Sequence, residues 1–159
     1  MKTLSINCML IGILFCSLIG CKIQNSDYEK MVTFGQDYTT AWNSMDPEKV
    51  VSFYAEDGTL TINHGTPAMG REQLAAAVGA YMEAFPDMHL TMDSLVKGDG
   101  TFKYYWTFTG TNTGDGGTGN KVKFSGFEEW TINGDGFVQT SMGSYDAEDY
   151  NRQVQGNTH

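Results

Sequence analysis

Basic side chains are scarce in this 159-residue chain: 10 Lys and Arg stand against 19 Asp and Glu, for a net charge of −9. Sequence-independent binding to nucleic acid needs Lys and Arg to neutralise phosphates, so no nucleic-acid partner is expected. Cysteine is scarce as well. Of the 3 present, Cys8 and Cys16 fall in an apolar leader and only Cys21 follows it. That leaves the body of the chain no intramolecular disulfide and no Cys-x-x-Cys metal site. No phosphate-cradling Gly loop, nucleophilic-Ser motif or zinc pattern is present, so no cofactor is expected. Asp115-Gly116-Gly117 lacks the alternating Asp oxygens of a calcium loop and reads as a turn, so no metal is expected either. Charged residues make up 18%, against roughly 25% in an average soluble protein. What remains is rich in core-forming material, with 40% hydrophobic and 13% aromatic residues, too much for a disordered chain. The length suits one domain, at roughly 100–200 residues each.

Residues 1–20 read as a secretion signal. Lys2 is its only charge, and Cys8–Ile19 is a nearly unbroken apolar run too short for an ordinary spanning helix. The run ends in Leu18-Ile19-Gly20-Cys21, which resembles the bacterial lipoprotein processing box. The resemblance implies cleavage before Cys21, diacylglycerol on its thiol, and a lipid-anchored protein of the cell envelope, periplasmic or on the outer membrane. Several acyl chains anchor a protein far better than one. Losing Lys2 with the leader moves the net charge from −9 to −10, so anionic lipid would not hold the body by charge. The alternative is an ordinary signal peptide, or an uncleaved anchor, with a chance cysteine. The expected organisation is a signal at 1–20, a lipidated Cys21 with a tether to 27, one domain over 28–154, and a polar tail at 155–159.

Within the domain the apolar period starts helical. Tyr28, Met31, Gly35, Tyr38, Trp42 and Met45 recur every three or four residues, which predicts a helix over 27–45. Asp46-Pro47 supplies an N-cap and a first helical residue for a second, short helix carrying Val50, Val51, Phe53 and Tyr54. A short strand at 59–62 and a loop at 63–69 lead to a third helix at 71–85, stopped by Pro86. The period then changes to two. Met88, Leu90, Met92 and Val96 alternate with polar residues, Phe102, Tyr104, Trp106, Phe108 and Gly110 share a face, and strands at 121–132 and 137–145 follow. Gly-rich 111–120 reads as a long mobile hairpin loop, and 146–154 as a closing helix. This order predicts an α+β fold, a curved antiparallel sheet wrapped around three N-terminal helices, with a ligand cavity between the layers.

Several stretches in this order resemble the SnoaL-like polyketide cyclase group of the nuclear transport factor 2-like superfamily. They are Ala41-Trp42-Asn43-Ser44-Met45-Asp46, Phe53-Tyr54-Ala55-Glu56-Asp57-Gly58, Gly70-Arg71-Glu72, Phe85-Pro86-Asp87-Met88-His89, Trp106-Thr107-Phe108-Thr109-Gly110-Thr111, Phe124-Ser125-Gly126-Phe127-Glu128 and Tyr145-Asp146. The resemblance implies a cone-shaped half-barrel with a deep apolar pocket, often in a homodimer. The family includes cyclases, ketosteroid isomerase-like enzymes, dehydratases, epoxide hydrolases and proteins without catalysis, so fold alone does not fix activity.

Glu128 is the sharpest catalytic candidate. Strand parity puts it on one face with Val122, Phe124, Gly126, Trp130 and Ile132. A carboxylate among apolar neighbours is costly to ionise, and a raised pKa suits a general acid or base near neutrality. The alternative is that it caps a buried polar network. Asp146, in phase with Val138 and Met142, could share the base's work or cap the last helix. His64 could polarise a carbonyl or be a plain loop residue. Tyr38, Trp42, Tyr81, Phe85, Trp106, Phe108, Trp130 and Met142 are the ligand-binding candidates, though cores look alike in sequence. The chain departs from the family pattern where His-Trp-Asp is common on the last strand: it reads Ser141-Met142-Gly143, and Asn112 stands where a His is common. Three functions therefore stay open. One is cofactor-free acid–base chemistry on a small apolar ligand, by proton abstraction, isomerisation or water addition. The second is a binding module without chemistry, and the third a structural envelope interaction.

Overall fold

The computed structural model describes the backbone of residues 16–156 and the side chains of residues 27–156. Most of the expected signal lies outside the described residues, as do the Cys21 side chain and the end of the tail. Helix α1 (Cys16–Asn43) lays Tyr38, Ala41 and Trp42 into the core. It is fastened to the sheet by Asn43, whose amide both donates to the Leu90 carbonyl (2.8 Å) and accepts from the Leu90 N–H (2.7 Å). The helix stops two residues before Met45, which takes a left-handed φ of 58° to turn the chain. Helix α2 (Pro47–Val51) starts as expected, with the Asp46 carboxylate accepting from the Glu48 N–H and proline at the first position.

Strand β1 (Tyr54–Ile62) begins earlier than its sequence suggests. Phe53 and Tyr54, expected to be helical, instead meet the C-terminal strand: the Phe53 carbonyl accepts from the Val138 N–H, and Tyr54 pairs with Val138. The 55–58 segment is absorbed as a bulge between Tyr54 and Thr59. Gly58 permits it, because a Cβ there would lie 3.0 Å from both the Ala55 and Val138 carbonyl oxygens. A two-residue strand β2 (Ala68–Met69) was not legible in the sequence and pairs antiparallel with β1. Helix α3 (Gly70–Ala84) buries Leu74, Val78 and Met82.

Strands β3 (His89–Lys97), β4 (Phe102–Thr111), β5 (Lys121–Ile132) and β6 (Val138–Tyr145) form an antiparallel meander. The whole sheet has six strands in the order β2-β1-β6-β5-β4-β3, curved and unclosed, and β1 lies parallel to β6. A bulge between Met92 and Ser94 shifts the alternation in β3. Leu95 turns inward, and Val96, expected inside, is half exposed. A second shift between Thr131 and Ile132 resets the phase of β6, so that Val138 and Ser141 are buried and Met142 faces out. The 111–120 loop, expected to be mobile, is tied down. The Gly114 N–H and the Asn112 amide both donate to the Ala84 carbonyl at the end of α3, and Asn112 Oδ1 accepts from the Thr118 N–H. Helix α4 (Ala147–Val154) closes the structure, its Gln153 side chain donating to and accepting from the Lys123 backbone.

Candidate functional site

The inner face of β5 sets the site. Its alternation points Val122, Phe124, Glu128 and Trp130 at the helices, as parity predicts, and Glu128 is only 7% exposed. Four donors converge on this carboxylate. Ser141 Oγ donates at 2.6 Å and Trp130 Nε1 at 2.9 Å, both to Oε2. The Tyr54 hydroxyl donates to Oε2 at 3.3 Å, and the Tyr38 hydroxyl lies 3.2 Å from Oε2 and 3.3 Å from Oε1. Oε1 thus keeps most of its accepting capacity free. No Lys or Arg pairs with this carboxylate among the described residues. Burial pushes the Glu128 pKa above its ordinary value, and the hydrogen bonds from Ser141, Trp130, Tyr38 and Tyr54 pull part of the way back. The same burial, reinforced by the negative charge of Glu128, holds the Tyr38 and Tyr54 phenols well above their usual range, so both remain protonated donors.

A cavity opens beside Glu128. It is walled by Trp42, Tyr81, Trp106, Phe108, Phe124 and Tyr145, with Leu60, Ile62, Leu90 and Gly143 completing the lining. Its empty space is about 520 Å³ including the open mouth, of which about 60 Å³ admits the centre of a water molecule. The smaller figure is well below the roughly 300–1,000 Å³ of small-molecule sites, so a ring-sized ligand would occupy the open mouth as well. The Tyr81 and Tyr145 hydroxyls meet at 3.2 Å on the wall, and burial raises the Tyr81 phenol's pKa. Among the described residues no group of three or more His, Cys, Asp and Glu is placed to hold a metal ion.

The candidates read from sequence divide into three groups. Trp42, Tyr81, Trp106 and Phe108 line the cavity beside Glu128. Tyr38 and Trp130 do not; they lie behind the carboxylate as its donors, and Phe85 is fully buried against Phe108 at 5.2 Å between ring centroids. Met142, Asp146 and His64 fall away from it. Met142 is 52% exposed because the β6 irregularity breaks the phase it was expected to share with Val138. Asp146 caps α4, accepting from the Asp149 N–H at 2.9 Å. His64 is exposed in the tight turn after β1, where Asn63 and His64 both have positive φ (48° and 59°) and the Gly65 N–H returns to the Ile62 carbonyl. Sequence reasoning misses Ser141 and Tyr54, the first because of that same phase shift and the second because the local pattern at Tyr54 reads as helix while the residue is in β1. It also misses Tyr145, whose backbone N–H is held by Asn63 Oδ1 at 2.9 Å.

A family model for the SnoaL-like domain matches residues 36–140, a span that contains Glu128 and three of its four donors, Tyr38, Tyr54 and Trp130. The chain belongs to the SnoaL-like domain family. Solved structures agree on the fold. A hypothetical protein with a ketosteroid isomerase-like fold from Catenulispora acidiphila, in complex with trimethylamine, superimposes with a TM-score of 0.66 at 16% identity, over 76% of this chain and 90% of that one. An NTF2-like protein of unknown function from Burkholderia pseudomallei gives 0.65 at 16% identity, over 75% and 92%. A phenazine biosynthesis-related protein from Pseudomonas aeruginosa gives 0.60 at 15% identity, over 80% and 91%. No curated protein matches the sequence. SnoaL-like folds commonly bind small molecules and catalyse reactions without a cofactor.

Proposed function

We propose that this SnoaL-like protein binds a small, largely apolar molecule beside Glu128 and moves a proton on it without a cofactor. The observation that carries the reading is the environment of Glu128. A buried carboxylate with no cationic partner among the described residues has one oxygen saturated by donors and the other held only by Tyr38 at 3.3 Å, at the wall of an aromatic cavity. Such a group is fixed in orientation and raised in pKa, the two properties a general base near neutral pH requires. The reaction class is proton abstraction next to a carbonyl, with isomerisation or water addition as its relatives. The test is α-proton exchange of a small cyclic ketone in deuterated buffer, with wild type and Glu128→Gln compared. A second reading, binding without chemistry, is favoured by one feature: where the family's His-Trp-Asp is common, Ser141 is spent on Glu128 and Met142 faces away. Ketone binding with no exchange above buffer would establish that reading.

The same proposal places the protein in the bacterial envelope, anchored through Cys21. Its support is the apolar run before Gly20-Cys21 and the strong membrane retention that several acyl chains give. Expressed in a bacterium with labelled palmitate, the wild type takes up label and sediments with membranes. Cys21→Ser takes up none and loses membrane retention after detergent-free washing. Equal labelling of the two forms overturns the anchor.

A homodimer through the outer face of the sheet belongs to this reading too. Tyr105 and Phe127 lie 5.9 Å apart there, Lys103 sits over the Phe127 ring, and Met142 is exposed on the same side. Sedimentation equilibrium of the form lacking its leader should give twice the chain mass, reverting toward the monomer in Phe127→Lys. A concentration-independent monomer mass ends this part of the reading.

A further inference from the structure

Trp106 has a polar atom for which the protein provides no use. Its side chain is 9% exposed, and its indole N–H meets no acceptor among the described residues. A buried N–H without a partner costs free energy that any acceptor offered to it recovers. The placement is built rather than incidental. Trp106 on β4 stands opposite Gly126 on β5, and a Cβ at Gly126 would lie 2.6 Å from Trp106 Cζ2. Only a residue without a side chain lets the indole lie against β5 there. Glu128 is the next inward residue of β5 and pairs with Tyr104, so Trp106 and Glu128 are diagonal neighbours on one face, about 7 Å apart by ordinary sheet geometry. Both line the same cavity.

The other polar atoms there agree. Tyr81 and Tyr145 share one hydrogen bond between two hydroxyls, which leaves one of their protons spare. Trp42 also lacks an acceptor at hydrogen-bonding geometry, but its indole interacts with the Tyr38 hydroxyl and offsets a small part of that phenol's raised pKa, a polar neighbour that Trp106 lacks. The lining carries no Lys, Arg or His to attract an anion. Unused donors, flat aromatic walls and the absence of a cation select a neutral, planar molecule with an acceptor oxygen.

We propose that the Trp106 indole N–H is the specificity-determining donor of this pocket, receiving the acceptor oxygen of a neutral ligand while Glu128 addresses the adjacent carbon. The proposal rests on the pocket being the binding site, as above. The test uses three probes on one ring skeleton: 1-indanone, indane, and the ammonium form of 2-aminoindane. Affinity is measured by titration, and the indole N–H resonances by nitrogen–proton correlation, with the Trp106 peak assigned as the one missing in Trp106→Phe. The expected result is that 1-indanone binds about fivefold more tightly than indane, the yield of one neutral hydrogen bond. The Trp106 N–H peak moves downfield with the ketone and not with the hydrocarbon, and the preference disappears in Trp106→Phe. Equal affinity for 1-indanone and indane, or a bound ketone that leaves the Trp106 peak in place, overturns the proposal and leaves the binding site standing. Tightest binding by the ammonium probe overturns it in favour of a cation held by the aromatic walls and Glu128. Binding of none of the three overturns the pocket reading and this inference together. If Trp106→Phe does not fold, the Trp106 peak is assigned by elimination from Trp42→Phe and Trp130→Phe, the other two of the chain's 3 tryptophans, and its shift is still read in the wild type.

Discussion

Glu128→Gln should reduce ketone α-proton exchange by about 10²-fold or more, the usual contribution of a positioned base, while ketone affinity changes little. The substitution suits the site. A glutamine carbonyl in the place of Oε2 still accepts from Ser141 and Trp130, and its amide nitrogen replaces Oε1 and can donate to the Tyr38 hydroxyl oxygen there, so packing persists and only the basic oxygen is lost. Activity of the wild type should rise with pH, with its inflection above the ordinary carboxylate value of 4.5, because burial raises the pKa of the base and only the ionised form works. Stability carries the opposite sign. A carboxyl with a raised folded-state pKa holds its proton more tightly in the native state than in the unfolded chain. Its contribution is therefore complete below the unfolded pKa and is lost as pH rises through the folded one. Urea unfolding across pH should show wild type losing ground to Glu128→Gln over that window. An exchange rate unchanged by the substitution ends the catalytic reading, and a stability difference independent of pH contradicts the buried, raised carboxyl.

Trp130→Ala should be the most damaging single change to stability. Trp130 is fully buried, stacks on Tyr104 with centroids 4.8 Å apart at 14°, and meets Tyr38 and Phe34 edge-on. Truncating a buried tryptophan costs about 3–5 kcal/mol, a large share of the roughly 5–15 kcal/mol that holds a domain folded. The change also removes the donor 2.9 Å from Glu128 Oε2. Trp130→Phe separates the two effects in part, since it keeps one stacked ring while deleting the N–H and the rest of the indole. The expected order of urea midpoints is wild type, then Trp130→Phe, then Trp130→Ala, at similar m-values. A Trp130→Ala midpoint close to wild type would mean that the stacked pair does not anchor the core.

What could be read from sequence depended on how far simple periodicity held. Glu128 was legible because β5 keeps strict alternation from Val122 to Trp130, so its face followed from parity alone. The cap at Asp46 and the inward face of β4 followed for similar reasons. The misses cluster at irregularities. The bulge between Met92 and Ser94 exchanged Val96 for Leu95, and the shift opposite Ile132 sent Met142 outward and brought Ser141 onto the carboxylate. A bulge adds one residue without leaving a mark that a count of two can detect. Tyr54 was hidden for another reason: its strand conformation depends on pairing with Val138, a partner far along the chain.

That pairing also bears on when the protein can fold. In the order β2-β1-β6-β5-β4-β3, β1 and β2 reach the rest of the sheet only through β6, and β6 begins at Val138. The first half of the chain can form helices but has no sheet to join until almost the last residues arrive. Closing so long a loop before its contacts repay the lost entropy makes folding slow. Ser141, the nearest donor to Glu128, arrives on the same late strand, so the carboxylate and its full set of donors come together in the final assembly step. A chain released short of β6 would hold Glu128 without its closest partner and leave one edge of β5 unpaired, a template for association with other chains.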